Sequence, residues 1–68
     1  NGIYESEVAL WRATARASPH KARPWNNLGH AYQSAGDMER AEAAYRMALY
    51  VDPQYWRAAV NLRILRER

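Results

Sequence analysis

The side chains able to do chemistry in this sequence are two histidines, a few close acidic pairs, three serines and a set of amides and guanidiniums. His20 and His30 are isolated: neither has a second His or a carboxylate at the helical spacing a zinc site needs. Glu5 and Glu7, and likewise Asp37 and Glu39, fall where helices should begin, and there a negative charge complements the helix dipole. That role accounts for them without acid–base catalysis. Ser6, Ser18 and Ser34 have no base in view, and cysteine is absent, which removes disulfides and thiolate metal sites. No constellation of nucleophile, base and oxyanion donor can be assembled, so no enzyme activity, metal or cofactor is expected of this segment. Binding chemistry remains. An Asn amide offers a donor and an acceptor, and Arg offers a planar fork of donors; together they can hold the backbone amides and carboxylates of an extended peptide. Arg57, Arg63, Arg66 and Arg68 could also touch nucleic acid or anionic lipid. Glu67 and the spread of these residues around a helix dilute that run, and a net charge of +3 falls short of a nucleic-acid footprint. No nucleic-acid partner is expected.

The elements that must position these groups are helices. The 68 residues are rich in Ala, Arg, Glu and Leu, contain no Phe, and draw their bulk from three Trp and five Tyr. Tyr4, Val8, Trp11 and Ala15 form one apolar stripe, predicting a first helix over about 3–17 that Ser18-Pro19 terminates. A second over about 22–35 has Pro24 in its first turn and Trp25, Leu28, Gly29 and Tyr32 on one face. Gly29 costs about 1 kcal/mol against Ala in a helix interior. Close approach of a neighbouring helix through Ala41, Ala44 and Ala48 is the expected compensation. Gly36 suits a left-handed C-cap and Asp37 an N-cap, giving a third helix over about 38–51 that Asp52-Pro53 ends. A fourth follows over about 54–66. No apolar run approaches the roughly 20 residues a membrane helix requires, so no membrane insertion by this segment is expected.

The run Trp25-x2-Leu28-Gly29-x2-Tyr32, then Ala41-x3-Tyr45, Ala48 and Pro53, resembles the tetratricopeptide repeat, a helix-turn-helix unit of about 34 residues. A shift by that period aligns Gly2 with Gly36, Trp11 with Tyr45 and Pro19 with Pro53. The implied fold is all-α: an α-solenoid fragment of four antiparallel helices. Residues 1–21 would be the second half of a preceding repeat, 22–55 one complete unit, and 56–68 a capping helix. In the fourth helix only Leu62 matches the signature; Ala59, Arg63 and Arg66 stand where Trp25, Gly29 and Tyr32 stand. In such arrays the first helix of each repeat lines a concave groove. The resemblance therefore implies a peptide-binding groove made by Arg23, Asn26, Asn27, His30, Gln33 and Ser34 with Arg57, Asn61 and Ile64. Asn27 and Arg57 coincide with two places of the carboxylate-clamp class, which binds chaperone C-termini. The clamp's places in the preceding repeat are absent, and Asn61 stands where it prefers Arg, so an ordinary polar groove is the preferred reading.

The chain starts mid-repeat and without Met, which suggests a piece of a longer protein. Tyr4, Val8 and Trp11 then lack a first-helix partner, and Glu7 sits where a repeat prefers a small residue. These three apolar residues are expected to form a self-association face supporting a homodimer. Trp56 opens the fourth helix off its main stripe, either packing on Tyr50 and Val51 or entering the groove. The stretch Tyr4-x-Ser6-Glu7-x-Ala9-Leu10-Trp11, with Ser18-Pro19-x-Lys21-Ala22-Arg23-Pro24, also resembles a bacterial group of multi-spanning membrane proteins similar to O-mannosyltransferases that carry such repeats as a tail. That resemblance implies transferase chemistry outside this segment, and a cytoplasmic or periplasmic location according to the parent's anchoring. Two functions are thus expected: a module binding a protein or peptide on its concave face, or a structural tail assembling a larger protein.

Overall fold

A computed structural model describes residues 2–67. It contains four helices: α1 (Gly2–Ala17), α2 (Ala22–Ser34), α3 (Met38–Val51) and α4 (Trp56–Arg66). Each lies against the next, α2 also meets α4, and α1 and α3 stand apart with α2 between them. The backbone fills a slab of 33 × 31 × 14 Å. That depth is two packed helices, which leaves the outer faces of both end helices open.

The turns reproduce the 34-residue period at atomic detail. After α1, the Lys21 amide donates to Ser18 O at 3.1 Å, and after α3 the Tyr55 amide donates to Asp52 O at 3.0 Å. The Asp52 carboxylate also accepts from the Gln54 amide at 3.0 Å. That turn occupies residues 52–55, so α4 begins at Trp56 rather than at the expected 54. Between α2 and α3, Gly36 takes φ of 85°, and the Asp37 and Gly36 amides donate to Tyr32 O and Gln33 O. These paired bonds satisfy carbonyls the helix end would otherwise orphan. Asp37 then caps α3, its Oδ1 accepting from the Arg40 amide at 3.2 Å while Oδ2 meets Arg40 Nη1 at 2.8 Å. These bonds from Arg40 hold the Asp37 carboxyl below its ordinary value.

Three apolar groups knit the layer. Val8, Ala15, Leu28, Ala31 and Ala44 join α1 and α2 to α3. Ala41, Tyr45, Leu62 and Leu65 join α3 to α4. Ala22, Ala48 and Ala58 form a small-residue contact of α2, α3 and α4. Ala41 and Ala48 are fully buried, as the close approach of helices requires. The feature that needs Gly29, however, is Tyr45. A Cβ at position 29 would lie 2.6 Å from two carbons of the Tyr45 ring. The expected close approach of α3 is present, with Ala41, Ala44 and Ala48 buried, and the group filling the space the glycine leaves is the Tyr45 ring. Tyr45 is the largest fully buried side chain. Its hydroxyl donates to Gln33 Oε1 at 2.7 Å, and burial pushes its pKa up to about 12.

The end helices differ from expectation in opposite ways. On α1, Val8 is 7% exposed and Trp11 is half-buried against Leu28 and Ala31. The premise of an open Tyr4–Val8–Trp11 face is corrected, because α2 covers Val8 and much of Trp11; Tyr4, with Ile3 and Leu10, stays exposed. On α4, Ala58, Leu62 and Leu65 turn inward. Arg63 and Arg66 are exposed, and Arg66 Nη2 reaches Glu42 Oε2 at 3.3 Å. A second apolar row, Trp56, Val60 and Ile64, faces outward at successive turns.

Candidate protein-binding surface

The expected groove residues separate into bonded and free ones. Asn26 is 7% exposed and its Oδ1 accepts from Asn61 Nδ2 at 3.0 Å. Its expected place on the groove surface is corrected: it lies under α4, where a buried amide must be paired, and it uses half of Asn61's amide to do so. Gln33 is likewise engaged, its Oε1 taken by the Tyr45 hydroxyl. Arg57 folds back over Trp56, its guanidinium carbon 4.8 Å from the ring centroid. Trp56 itself is 62% exposed, so it does not bury against Tyr50 and Val51.

Arg23, His30 and Ser34 are exposed on α2, and Asn27 is half-buried there. None of these four side chains takes part in a hydrogen bond or ion pair among the described residues. Asn27 and His30 line a hollow of about 220 Å³ together with Glu7, Trp11 and Ala31. Two of its walls, Glu7 and Trp11, come from α1 and were not among the expected groove residues. A signal for them existed: the 34-residue shift puts Glu7 and Trp11 where Ala41 and Tyr45 stand, on the face of a second helix that a first helix covers. Ile64 is exposed on α4 with the outer apolar row.

The described helices contain no group of three or more His, Cys, Asp or Glu placed to hold a metal ion. No helix among the described residues is long and apolar enough to cross a membrane.

Four antiparallel helices, turns repeating at 34 residues and a Gly–Tyr contact between paired helices coincide with a match to the tetratricopeptide repeat family model over residues 22–55. The chain belongs to the tetratricopeptide repeat family. Repeats of this family generally mediate contacts between proteins. The repeat segment is 42% identical over 50 residues to the human protein O-mannosyl-transferase TMTC2, a match covering 74% of this chain and 6% of that protein. It is 32% identical over 62 residues to human TMTC3, covering 91% of this chain and 7% of that protein. A peroxisomal targeting signal receptor of Candida glabrata is 28% identical over 64 residues, covering 94% of this chain and 11% of the receptor. The similarity to repeat-bearing O-mannosyltransferases is thus found, among animal proteins. The expected bacterial grouping has no support among these relatives. This tetratricopeptide repeat segment spans only a small fraction of each.

Proposed function

We propose that this repeat segment binds an extended stretch of a partner protein across the face carried by α2 and α4. The observation that carries the reading is the pair Asn27 and His30, without a side-chain bond among the described residues and set beside the Trp11 ring and Glu7 in one hollow. An amide can pair with both the N–H and the C=O of a peptide unit, while the indole face provides apolar area beside it. Arg23, Ser34 and Arg57 extend the polar surface on either side, and Arg57 lies pre-oriented on Trp56 to meet a carboxylate. Asn61 contributes less than its residue type suggests, because Asn26 already holds it. A photo-crosslinking amino acid in place of His30 tests this. Adducts with a partner polypeptide are expected, and Asn27→Ala with Arg57→Ala should abolish them. If these substitutions leave capture intact, the groove reading fails.

A second reading is favoured by the outward row Trp56, Val60 and Ile64 together with the similarity to O-mannosyl-transferases. In it the segment is part of a larger membrane-bound transferase and its helices serve assembly. Residues 56–68 then pass contacts onward rather than cap the array. Sequence of the parent gene around this segment distinguishes the two, since the assembly reading requires transferase and membrane segments in the same protein.

A further inference from the structure

On the side where α1 and α3 stand apart, α2 forms the floor of a cleft that the family groove does not include. Trp25, Leu28, Tyr32 and Ala35 follow one another along that floor. Their span of ten residues is about 15 Å of helix, the length of four to five extended residues. Two hollows lie in line there. The one at the Trp25 end measures about 310 Å³ and has Met47, Ala43 and Ala44 of α3 as its apolar wall. The other, about 500 Å³, shares Arg12, Tyr32 and Arg40 with it and carries the carboxylates of Glu5 and Asp37, so the acidic part of an occupant belongs at the first hollow. Between them Arg12 Nη2 donates to the Tyr32 hydroxyl at 3.2 Å.

The charge at the first hollow has one sign. Arg12, Arg16 and Arg40 border it, and no carboxylate does. Arg40 is held by Asp37, but neither Arg12 nor Arg16 has an ion pair among the described residues. The floor is aromatic and its polar atom is spent: Trp25 Nε1 donates to Pro19 O at 3.0 Å. What Trp25 offers to an occupant is therefore apolar surface. An apolar slot edged by uncompensated guanidiniums selects a ligand with an aliphatic or aromatic anchor and flanking carboxylates. The length and two-lobed form of the cleft fit a chain better than a compact anion.

We propose that this cleft between α1 and α3 is a second docking site, taking an extended acidic segment of a partner protein with an apolar anchor seated between Trp25 and Met47. It is independent of the α2–α4 face. Fluorescence anisotropy of a labelled hexapeptide of alternating Glu and Leu against the 68-residue chain tests it. Saturable binding is expected, with affinity falling about tenfold for Arg16→Glu, the scale of one lost charge-assisted hydrogen bond. Ala43→Trp, which fills the slot from an exposed position, should lower affinity as well, and Arg57→Ala should not. Arg16→Gln keeps a good helix former and should shift affinity in the same direction, which separates lost charge from lost fold. The proposal is overturned if an alternating Lys–Leu peptide binds equally well, if Arg16→Glu and Arg16→Gln both leave affinity unchanged, or if an oligodeoxythymidine binds more tightly than the acidic peptide.

Discussion

Gly29 and Tyr45 act as one unit. The ring lies where a Cβ would stand, so Gly29→Ala sets a helix-propensity gain of about 1 kcal/mol against overpacking that typically costs about 1–3 kcal/mol. The Tyr45 ring is fully buried and cannot swing to solvent, so overpacking should win. Denaturant unfolding is expected to show net destabilisation for Gly29→Ala, and a gain for the same substitution in a Tyr45→Leu background, where the ring is gone. Tyr45 also makes stability depend on alkaline pH. Its folded pKa of about 12 exceeds the ordinary 10.0, so between these values the folded chain holds a proton the unfolded chain releases. The stabilisation is complete below about pH 10 and is lost as pH rises toward about 12. Thermal midpoints should fall across that window, and less steeply in Tyr45→Phe. The glycine was legible in the sequence as a packed position because it sits on the Trp25–Leu28–Tyr32 face. Its neighbour was not. Helical spacing tells which face a residue occupies, but not which side chain of the opposing helix reaches it.

At the scale of elements, the period fixed the four helices, and their boundaries followed from Pro, Gly and Asp. What it left hidden was the stacking of α2 on α4. Asn26 reads as surface by type, yet the repeat places residue i beside i+35, so Asn61 arrives at its amide. The sequence contained that register, but nothing in it said that α4 would cover this side of α2. The bond predicts an asymmetry. Asn61→Ala strands a buried amide and should cost about 1–3 kcal/mol. Asn26→Ala leaves the half-buried Asn61 able to turn to water and should cost less, with a coupling energy appearing in the double mutant. At the α2–α3 turn the sequence was sufficient. Gly36→Ala meets nothing within 4 Å, so its cost should come from φ alone, about 1–2 kcal/mol, read as a lower denaturation midpoint with an unchanged slope.

The whole molecule is a slab two helices deep, and small domains bury too little surface to be robust alone. Its exposed apolar groups are Ile3, Tyr4 and Leu10 on α1, Tyr50 on α3, and the row Trp56, Val60 and Ile64 on α4. The α4 row has a counterpart inside the fold. One period earlier, Trp56 and Val60 correspond to Ala22 and Asn26, which are buried beneath α4, while Ile64 corresponds to His30, which is exposed. The same positions on α4 therefore form a surface of the kind that receives another helix. Regular stacking of a second helix of a repeat on α4 is opposed by Arg63, which stands where Gly29 makes room for Tyr45. Association through the outward row alone is the outcome that reconciles these two constraints. Sedimentation velocity should accordingly show a coefficient that rises with concentration. Trp56→Ser with Ile64→Ser should return the chain to a concentration-independent monomer, whereas Tyr4→Ser, removing a side chain at the other end, should change little. A monomer at every concentration in the unmodified chain would refute self-association through this row.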